Sequence, residues 1–247
     1  MKNKLIAISK FLIPLLFWCF VWQISAMLIG NEFLLPDIPA TLNALLALIL
    51  GANFYKAVIF STLRVILGLF LGCAVGIFLA ILCNRYSFIH ALFLPIISVI
   101  KSTPLASFIV VLWVMMSGDS LSVFIGFLMV MPIIWQNLLN GYSAIDKNLG
   151  EIADVFEFSY AKRVRLLIFP TLKSYLIPAI ITASGLAWKA EIAAEIIAYT
   201  KNSIGQGIND ARYNMDTPTV FAWTLVIILF SIALEKNTKH LLVRIKK

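Results

Sequence analysis

The chain has 247 residues, of which 61% are hydrophobic and 13% are charged. Ordinary soluble domains are about half apolar and about a quarter charged, so this composition excludes a water-soluble globular protein. The formal net charge of +8 suggests a nucleic-acid partner. The basic residues are distributed as in a membrane protein, however, which excludes nucleic-acid binding.

The apolar residues form runs of about 20 residues or more, each long enough to cross a lipid bilayer as a helix. Inside lipid every backbone N–H and C=O group must be paired, and only helices and closed barrels achieve this. The runs are continuous and do not alternate with polar residues, which favours helices. The sequence therefore predicts an all-α fold, a polytopic membrane helix bundle of about six transmembrane helices in a single domain, 1–247.

The first predicted span covers residues 11–30 and follows a basic segment. A cleaved signal peptide also has a basic segment followed by an apolar one. The apolar run is longer than a usual signal core, and Trp18 and Trp22 suit a retained helix. We therefore expect residues 1–30 to form an N-terminal transmembrane helix.

A shorter apolar stretch, 34–51, contains Pro36 and Pro39 and predicts an external helix lying at the membrane interface. The second span follows at 57–83. Its glycines recur every fourth residue and so share one helical face, which allows close approach of a neighbouring helix. These packing glycines are Gly68, Gly72 and Gly76.

The third predicted span, 88–116, contains Pro104 close to Lys101. Proline lacks a backbone donor and bends or breaks a helix, so a kink is expected at 101–104. The core spans together occupy 57–234. The remaining ones are predicted at 121–139, 175–198 and 219–234, with an external polar loop at 200–218.

Residues 140–173 interrupt the apolar pattern with a polar, amphipathic loop. We expect two short helices there, the first capped by Asp146 and the second beginning at Ser159. Ile152, Val155 and Phe156 can share a face, as in a helix that docks into a groove of a partner. The alternative is a surface helix that rests on lipid headgroups.

The basic residues give the predicted topology. Of the 20 Lys and Arg residues, 14 fall in segments that one topology places in the cytoplasm, as the positive-inside rule requires. These are Lys2, Lys4, Lys10, Arg85, Lys147, Lys162, Arg163, Arg165, Lys173, Lys236, Lys239, Arg244, Lys246 and Lys247. We therefore expect a multi-pass protein of the bacterial inner membrane with both termini in the cytoplasm.

The sequence lacks the Gly-x-x-x-x-Gly-Lys-Ser/Thr motif that cradles nucleotide phosphates. Any ATP-driven process would therefore need another chain. Cys19, Cys73 and Cys83 have no paired spacing, and His90 and His240 have no ligand spacing, so neither a metal nor a cofactor is expected.

Charged residues at membrane depth are costly in lipid and usually face a cavity or the interior of the bundle. Glu191 and Glu195 are four residues apart and share a face of the fifth span, where a cation could neutralise one of them. One interpretation is that these groups line a translocation pathway; the other is a buried ion pair between the second and fifth spans. The candidate pathway residues are Arg64, Lys101, Lys189, Glu191 and Glu195.

Glu151, Ala153 and Pro170 stand at the spacing of the cytoplasmic coupling loop of bacterial ABC-importer permeases, which this segment resembles. The family pattern is Glu-Ala-Ala, then Gly, then Leu-Pro. The departures from it are Ile152 for the first Ala, Glu157 for Gly and Phe169 for Leu. A turn that needs a positive φ would be strained by Glu157.

The resemblance extends to the segments 61–64, 185–189, 194–195 and 205–208 and is closest to the nitrate/sulfonate/taurine-type subgroup. It implies a type I ABC-importer permease fold and a chain without its own ATPase site. The implied partners are ABC ATPase subunits, an extracytoplasmic substrate-binding protein and a second permease copy, identical or similar. The implied solute is small: an anion such as nitrate or a sulfonate, taurine, or another small molecule, since relatives of this group also carry vitamin-precursor pyrimidines.

The resemblance also implies which residues contact the ATPase: Glu151, Ala153, Phe156, Glu157, Leu167 and Pro170. Phe156 would fill the ATPase groove, and Glu151 and Glu157 would set the polarity of its rim. The main alternative is an ion-coupled secondary transporter that uses Glu191 and Glu195 as its carrier site. A membrane enzyme would need a convergent nucleophile or acid–base cluster, and the sequence offers none.

Overall fold

The computed structural model describes the backbone of residues 2–246 and the side chains of residues 12–146 and 148–242. All regular structure in this part of the chain is helical. In chain order the helices are α1 (Lys2–Ile29), α2 (Ile38–Leu50), α3 (Ala52–Arg85), α4 (Ser87–Ser102), α5 (Leu105–Trp113), α6 (Gly118–Ser143), α7 (Lys147–Val155), α8 (Tyr160–Arg163), a π-helical turn (Val164–Ile168), α9 (Phe169–Ala198), α10 (Ile204–Tyr213) and α11 (Thr217–Lys246).

Five helical segments between residues 2 and 246 are long and apolar enough to cross a membrane. The pair α4 and α5 passes the same test together and makes a sixth candidate. The predicted all-α membrane bundle of about six spans is therefore confirmed.

The core of the bundle is a layer in which α6 lies between α3 and α9. Glycines on α3 allow its close approach to α6. A Cβ atom on Gly72 would lie 2.5 Å from the Cβ of Val130, and one on Gly76 would lie 2.9 Å from the Cβ of Ile134. Since real side chains do not approach so closely, the two backbones are packed as only glycine permits.

The outer helices are held to this layer by aromatic contacts and polar anchors. Trp188 of α9 is buried, donates its indole N–H to the carbonyl of Ile227 in α11 at 3.0 Å, and stacks on Phe230. Trp22 of α1 donates to the carbonyl of Pro36 at 2.9 Å. Ala26 is the one buried residue in the apolar part of α1, residues 12–29, and most of the others are exposed, so α1 is a peripheral helix.

The third span is broken, where the sequence predicted a kink. The α4 helix ends at Ser102, α5 begins at Leu105, and the two axes differ by 102°. Pro104 lies between them as the residue before α5 and cannot supply the backbone N–H that a continuous helix requires.

Several helices extend beyond the predicted spans, and α11 continues to Lys246, 12 residues past the predicted end at 234. The α9 helix begins at Phe169, six residues before the predicted start, and continues from α8 through the π-helical turn. Pro170 directly follows the π-helical turn and does not end this helical segment. The predicted external loop 200–218 contains α10, whose first turn is capped by Ser203 accepting from the N–H of Gln206 at 2.9 Å.

Candidate functional site

The polar loop contains one of the two short helices that the sequence predicted, α7; the second, α8, begins at the expected position but continues through the π-helical turn into α9. The side chain of Asp146 caps α7 by accepting from the N–H of Asn148 at 2.8 Å. Ser159 caps α8 by accepting from the N–H of Lys162 at 3.4 Å. Both caps satisfy backbone donors that have no partner in the first turn of a helix.

The turn between α7 and α8 is built around Glu157, which has a positive φ of 49°. The N–H of Phe158 bonds the carbonyl of Ala153 at 2.9 Å, and the N–H of Glu157 bonds that of Asp154 at 3.0 Å. These two bonds form a Schellman motif, whose left-handed position is usually Gly. Glu157 therefore occupies a position where glycine would be unstrained.

Two further contacts fix α8 against the end of α7. The guanidinium of Arg163 pairs with the carboxylate of Asp154. The ammonium of Lys162 lies 3.9 Å from the centre of the Phe158 ring, within the range of a cation–π interaction. These contacts hold the two short helices in one relative orientation.

The loop presents an apolar surface that nothing in the described part of the chain covers. We define this coupling surface by four side chains that are 49%, 80%, 70% and 77% exposed: Ile152, Val155, Phe156 and Tyr160. Apolar side chains clustered on a polar loop mark an interaction site.

The other predicted coupling residues divide between this surface and the membrane helix behind it. Glu151 and Glu157 are exposed beside the coupling surface, and Ala153 is buried beneath it. Leu167 is partly buried in the π-helical turn, and Pro170 lies exposed in the first turn of α9. The last two residues thus link the loop to α9.

Two of the charged groups at membrane depth, Arg64 and Glu195, meet Asp119 at the other end of the bundle. The Arg64 guanidinium bonds Glu195 Oε1 at 3.0 Å, Asp119 Oδ1 at 2.6 Å and the carbonyl of Lys201 at 3.2 Å. We call Arg64, Asp119 and Glu195 the charge cluster. It joins α3, α6 and α9, so the predicted ion pair between the second and fifth spans is present.

Hydrogen bonds complete the shell of Glu195, which is buried with 1% exposure. Ser61 donates its hydroxyl hydrogen to Glu195 Oε2 at 2.8 Å, and the N–H of Gly205 approaches the same oxygen at 3.4 Å. The Ser61 hydroxyl also accepts from the N–H of Ile204 at 3.0 Å. Each oxygen of this carboxylate therefore accepts at least one hydrogen bond from a protein group, and Arg64 supplies the opposite charge.

Glu191 has no such partners. Its side chain is fully buried, and neither carboxyl oxygen has a hydrogen-bond partner within the described structure. The carboxyl group fills space left by Gly68 of α3 and Gly126 of α6, and a Cβ atom at either glycine would collide with it. Gly68 thus accommodates Glu191 as well as the backbone of α6.

Lys101 and Lys189 are exposed and lie outside the charge cluster. Neither ammonium forms an ion pair or hydrogen bond with the described residues. Lys101 lines a cavity of about 350 Å³ next to the break between α4 and α5.

The role of Asp119 was not found from the sequence, which placed it in an external turn. Its acidic side chain in the first turn of a membrane helix was the available signal, because helix N-termini favour negative charge. The hydrogen bond from Ser61 to Glu195 joins residues 134 positions apart, so no local sequence pattern indicates it.

The chain is similar in sequence to two named permease proteins. It is 26% identical over 209 residues to SsuC of Bacillus subtilis (strain 168), a permease protein named for transport of aliphatic sulfonates; this covers 83% of the chain and 75% of SsuC. It is 30% identical over 124 residues to the nitrate import permease protein NrtB of Synechococcus elongatus, which covers 49% of the chain and 43% of NrtB.

A crystal structure of an amino acid ABC transporter with histidines has a similar fold, with a TM-score of 0.61 and 16% sequence identity. The similarity covers 78% of this chain and 93% of that one. A model of the protein family described as "Binding-protein-dependent transport system inner membrane component" matches residues 68–247, most of the chain. The chain is therefore a multi-pass membrane protein that belongs to this family, the permease components of ABC importers.

Proposed function

We propose that this permease is driven by a separate ABC ATPase that binds the coupling surface and transmits its closure to α9. The observation that carries this proposal is the exposed apolar face of a short, capped and braced helix in a polar loop. Burying one large apolar side chain contributes about 1.5–3 kcal/mol, so the face is suited to a partner groove.

The structure supports the mechanical link in this proposal. From α8 the chain continues through the π-helical turn into α9 as one helical segment, Tyr160–Ala198. A displacement of the coupling surface would therefore be carried into α9, which packs on α6 and also contacts α3 and α11. Glu151 and Glu157, exposed at the edge of the surface, would set the polarity of the rim.

We further propose the assembly and orientation that the family implies. Two permease copies, identical or similar, would combine with two ATPases in the bacterial inner membrane, and a substrate-binding protein would dock at the external side. The loop and both termini would be cytoplasmic, as the distribution of basic residues favours. The charge cluster then lies toward the external side, at the far end of α9 from the loop.

The proposed pathway includes Arg64, Lys101, Lys189, Glu191 and Glu195. The charge cluster connects three helices at one end of the bundle, where it would brace or gate the external opening. The proposed solute is a small anion, since SsuC and NrtB are named for sulfonate and nitrate transport.

An ion-coupled secondary transporter is the second candidate, and one observation favours it. Glu191 is a buried carboxyl group with no partner in the described structure, as a proton- or cation-carrying group would be. This mechanism predicts transport by the chain alone, abolished by uncouplers and unaffected by loss of an ATPase.

Affinity purification from native membranes in mild detergent, followed by mass spectrometry, tests the proposal. A P-loop ATPase should co-purify with the wild type and should be lost with Phe156→Ala. The matched control is Tyr213→Ala, which removes an aromatic side chain of similar exposure (67%) outside the loop and should retain the ATPase. A chain that purifies alone and still transports after reconstitution would refute the proposal.

A further inference from the structure

The cavity beside Lys101 lies at the break in the third span, between the end of α4, the middle of α6 and α9. Its polar lining residues are Lys101, Thr103, Gln136 and Asn137, and its walls are apolar, including Leu128 and Leu186. None of its lining residues is acidic. The cavity therefore carries one positive charge and an apolar wall.

The position of Lys101 along α4 would carry it into the hydrocarbon layer of a bilayer that this helix enters at Ser87. It is 14 residues from the start of α4, or about 21 Å along the helix axis, within a hydrocarbon layer about 30 Å thick. An ammonium group at this depth is costly unless it has water or a counter-charge. No carboxylate within the described residues pairs with it, so water or a counter-charge from outside the chain has to stabilise the ammonium group.

The neighbouring amides add hydrogen-bond donors. Asn137 donates one N–H to the carbonyl of Ile133 at 2.8 Å, and Gln136 donates one to Asn140 Oδ1 at 3.2 Å. Each amide nitrogen carries two hydrogens, so each keeps a second donor. Thr103 instead donates its hydroxyl hydrogen to the carbonyl of Val99 at 2.8 Å. The cavity is thus rich in N–H donors, which suit an oxyanion.

The break between α4 and α5 also adds positive potential near the cavity. The α5 helix begins two residues after Thr103 and has no side-chain cap, so its first N–H groups are not satisfied by a side chain. The N-terminal end of a helix carries partial positive charge. Thr103, which lines the cavity, is two residues from this end of α5, so the partial charge lies near the cavity and has the same sign as Lys101.

We infer that this cavity binds a small organic oxyanion, such as a short-chain sulfonate, on its passage through the permease. Lys101 is the counter-ion, Gln136 and Asn137 donate hydrogen bonds to the oxyanion, and Leu128 and Leu186 contact its short apolar chain. The inference rests on the proposed transport function and assigns its solute class to one site. The charge cluster does not suit this role, because its two carboxylates outnumber its one guanidinium.

Cysteine labelling tests the inference without requiring transport or ATP hydrolysis. In the complete importer, with Cys19, Cys73 and Cys83 replaced by serine, a cysteine is introduced by Ile133→Cys, at a lining residue whose side chain has no assigned contact with the oxyanion. Its modification rates are measured with an anionic and a cationic methanethiosulfonate, the sulfonatoethyl and trimethylammonioethyl reagents. The ratio of the two rates reports the local potential, since any change in thiol reactivity affects both reagents equally.

The anionic reagent should react faster, and Lys101→Gln should lower the anion-to-cation rate ratio by about tenfold, as loss of one nearby charge predicts. Lys101→Arg should preserve the ratio. Lys56→Gln, the loss of another exposed lysine outside the cavity, should leave it unchanged. Ethanesulfonate should slow the labelling, whereas the neutral ethyl methyl sulfone should not.

Three results would overturn the inference: no labelling by either reagent, a ratio unaffected by Lys101→Gln, or equal protection by the sulfonate and the sulfone. Each Lys101 variant is first shown to co-purify its partners as the wild type does, which excludes misfolding. If Phe156→Ala retains the ATPase while the Lys101 dependence is found, the proposed coupling fails and the anion site stands.

Discussion

At the scale of single residues, Glu157 is the clearest departure from what its position requires. It holds a positive φ in the Schellman turn that ends α7, a conformation that costs a non-glycine residue about 1–2 kcal/mol. The turn is retained because two backbone hydrogen bonds and the pair between Arg163 and Asp154 enforce it.

We therefore expect Glu157→Gly to stabilise this turn by about 1 kcal/mol. Hydrogen exchange at the amide of Phe158, which bonds the carbonyl of Ala153, should slow by about fivefold. The matched control is Glu151→Gly, which places glycine within α7 and should speed exchange in the same loop by about the same factor. Faster exchange at Phe158 in Glu157→Gly would contradict the assignment of strain.

The two buried carboxyl groups of α9 differ in their partners, so their replacement should have opposite effects. Glu191→Met removes a buried polar group that has no partner and should leave the melting temperature of the detergent-solubilised importer unchanged or raised. Glu195→Met removes one of the two carboxylates that pair with Arg64 and the acceptor of the Ser61 hydroxyl, and should lower stability by about 1–3 kcal/mol. An equal loss in both variants would show that Glu191 has a partner in the assembled importer.

At the scale of helices, the contact between α3 and α6 depends on glycine. Gly72→Ala should place its Cβ atom against Val130 and cost about 1–3 kcal/mol by forcing the two helices apart. Gly185→Ala is the matched control within a membrane helix, because its nearest neighbour would be 3.9 Å away, and it should be neutral or slightly stabilising. Thermal unfolding in detergent measures both, and equal melting temperatures would contradict the close packing.

The charge cluster joins α3 to α9, and a double-mutant cycle measures that link. Arg64→Met alone should destabilise strongly, because it leaves the buried Glu195 carboxylate without its cation. Adding Glu195→Met should then recover part of the loss, with a coupling of at least about 1 kcal/mol. Additive changes in the free energy of unfolding would mean that the two side chains do not stabilise each other.

At the scale of the whole molecule, features set by residues close in the sequence could be predicted. Features that depend on contacts between distant residues could not. Apolar runs define the membrane helices, and the caps at Asp146 and Ser159 are local, so both were predicted correctly. The 102° break was predicted only as a kink, because proline disrupts a helix without setting the direction of the next one.

The candidate site was only partly predictable for the same reason. Charged residues in apolar runs identified Arg64 and Glu195, because charges are rare at membrane depth. Their partners Asp119 and Ser61 come from other helices and are joined only by the fold. The α10 helix was missed although Ile204, Ile208 and Ala211 repeat at helical spacing after the capping Ser203, because the segment is polar overall and was taken for a loop.

The central claim is that an ATPase binds the coupling surface. Photocrosslinking in intact cells tests this claim most directly. A benzophenone amino acid replaces Phe156 in the coupling surface or, as a control, Tyr213 in α10. Irradiation should join the chain to a P-loop ATPase from position 156 and not from position 213. Absence of an ATPase adduct at position 156, or equal yields at both positions, would contradict the assignment of this loop as the site of coupling.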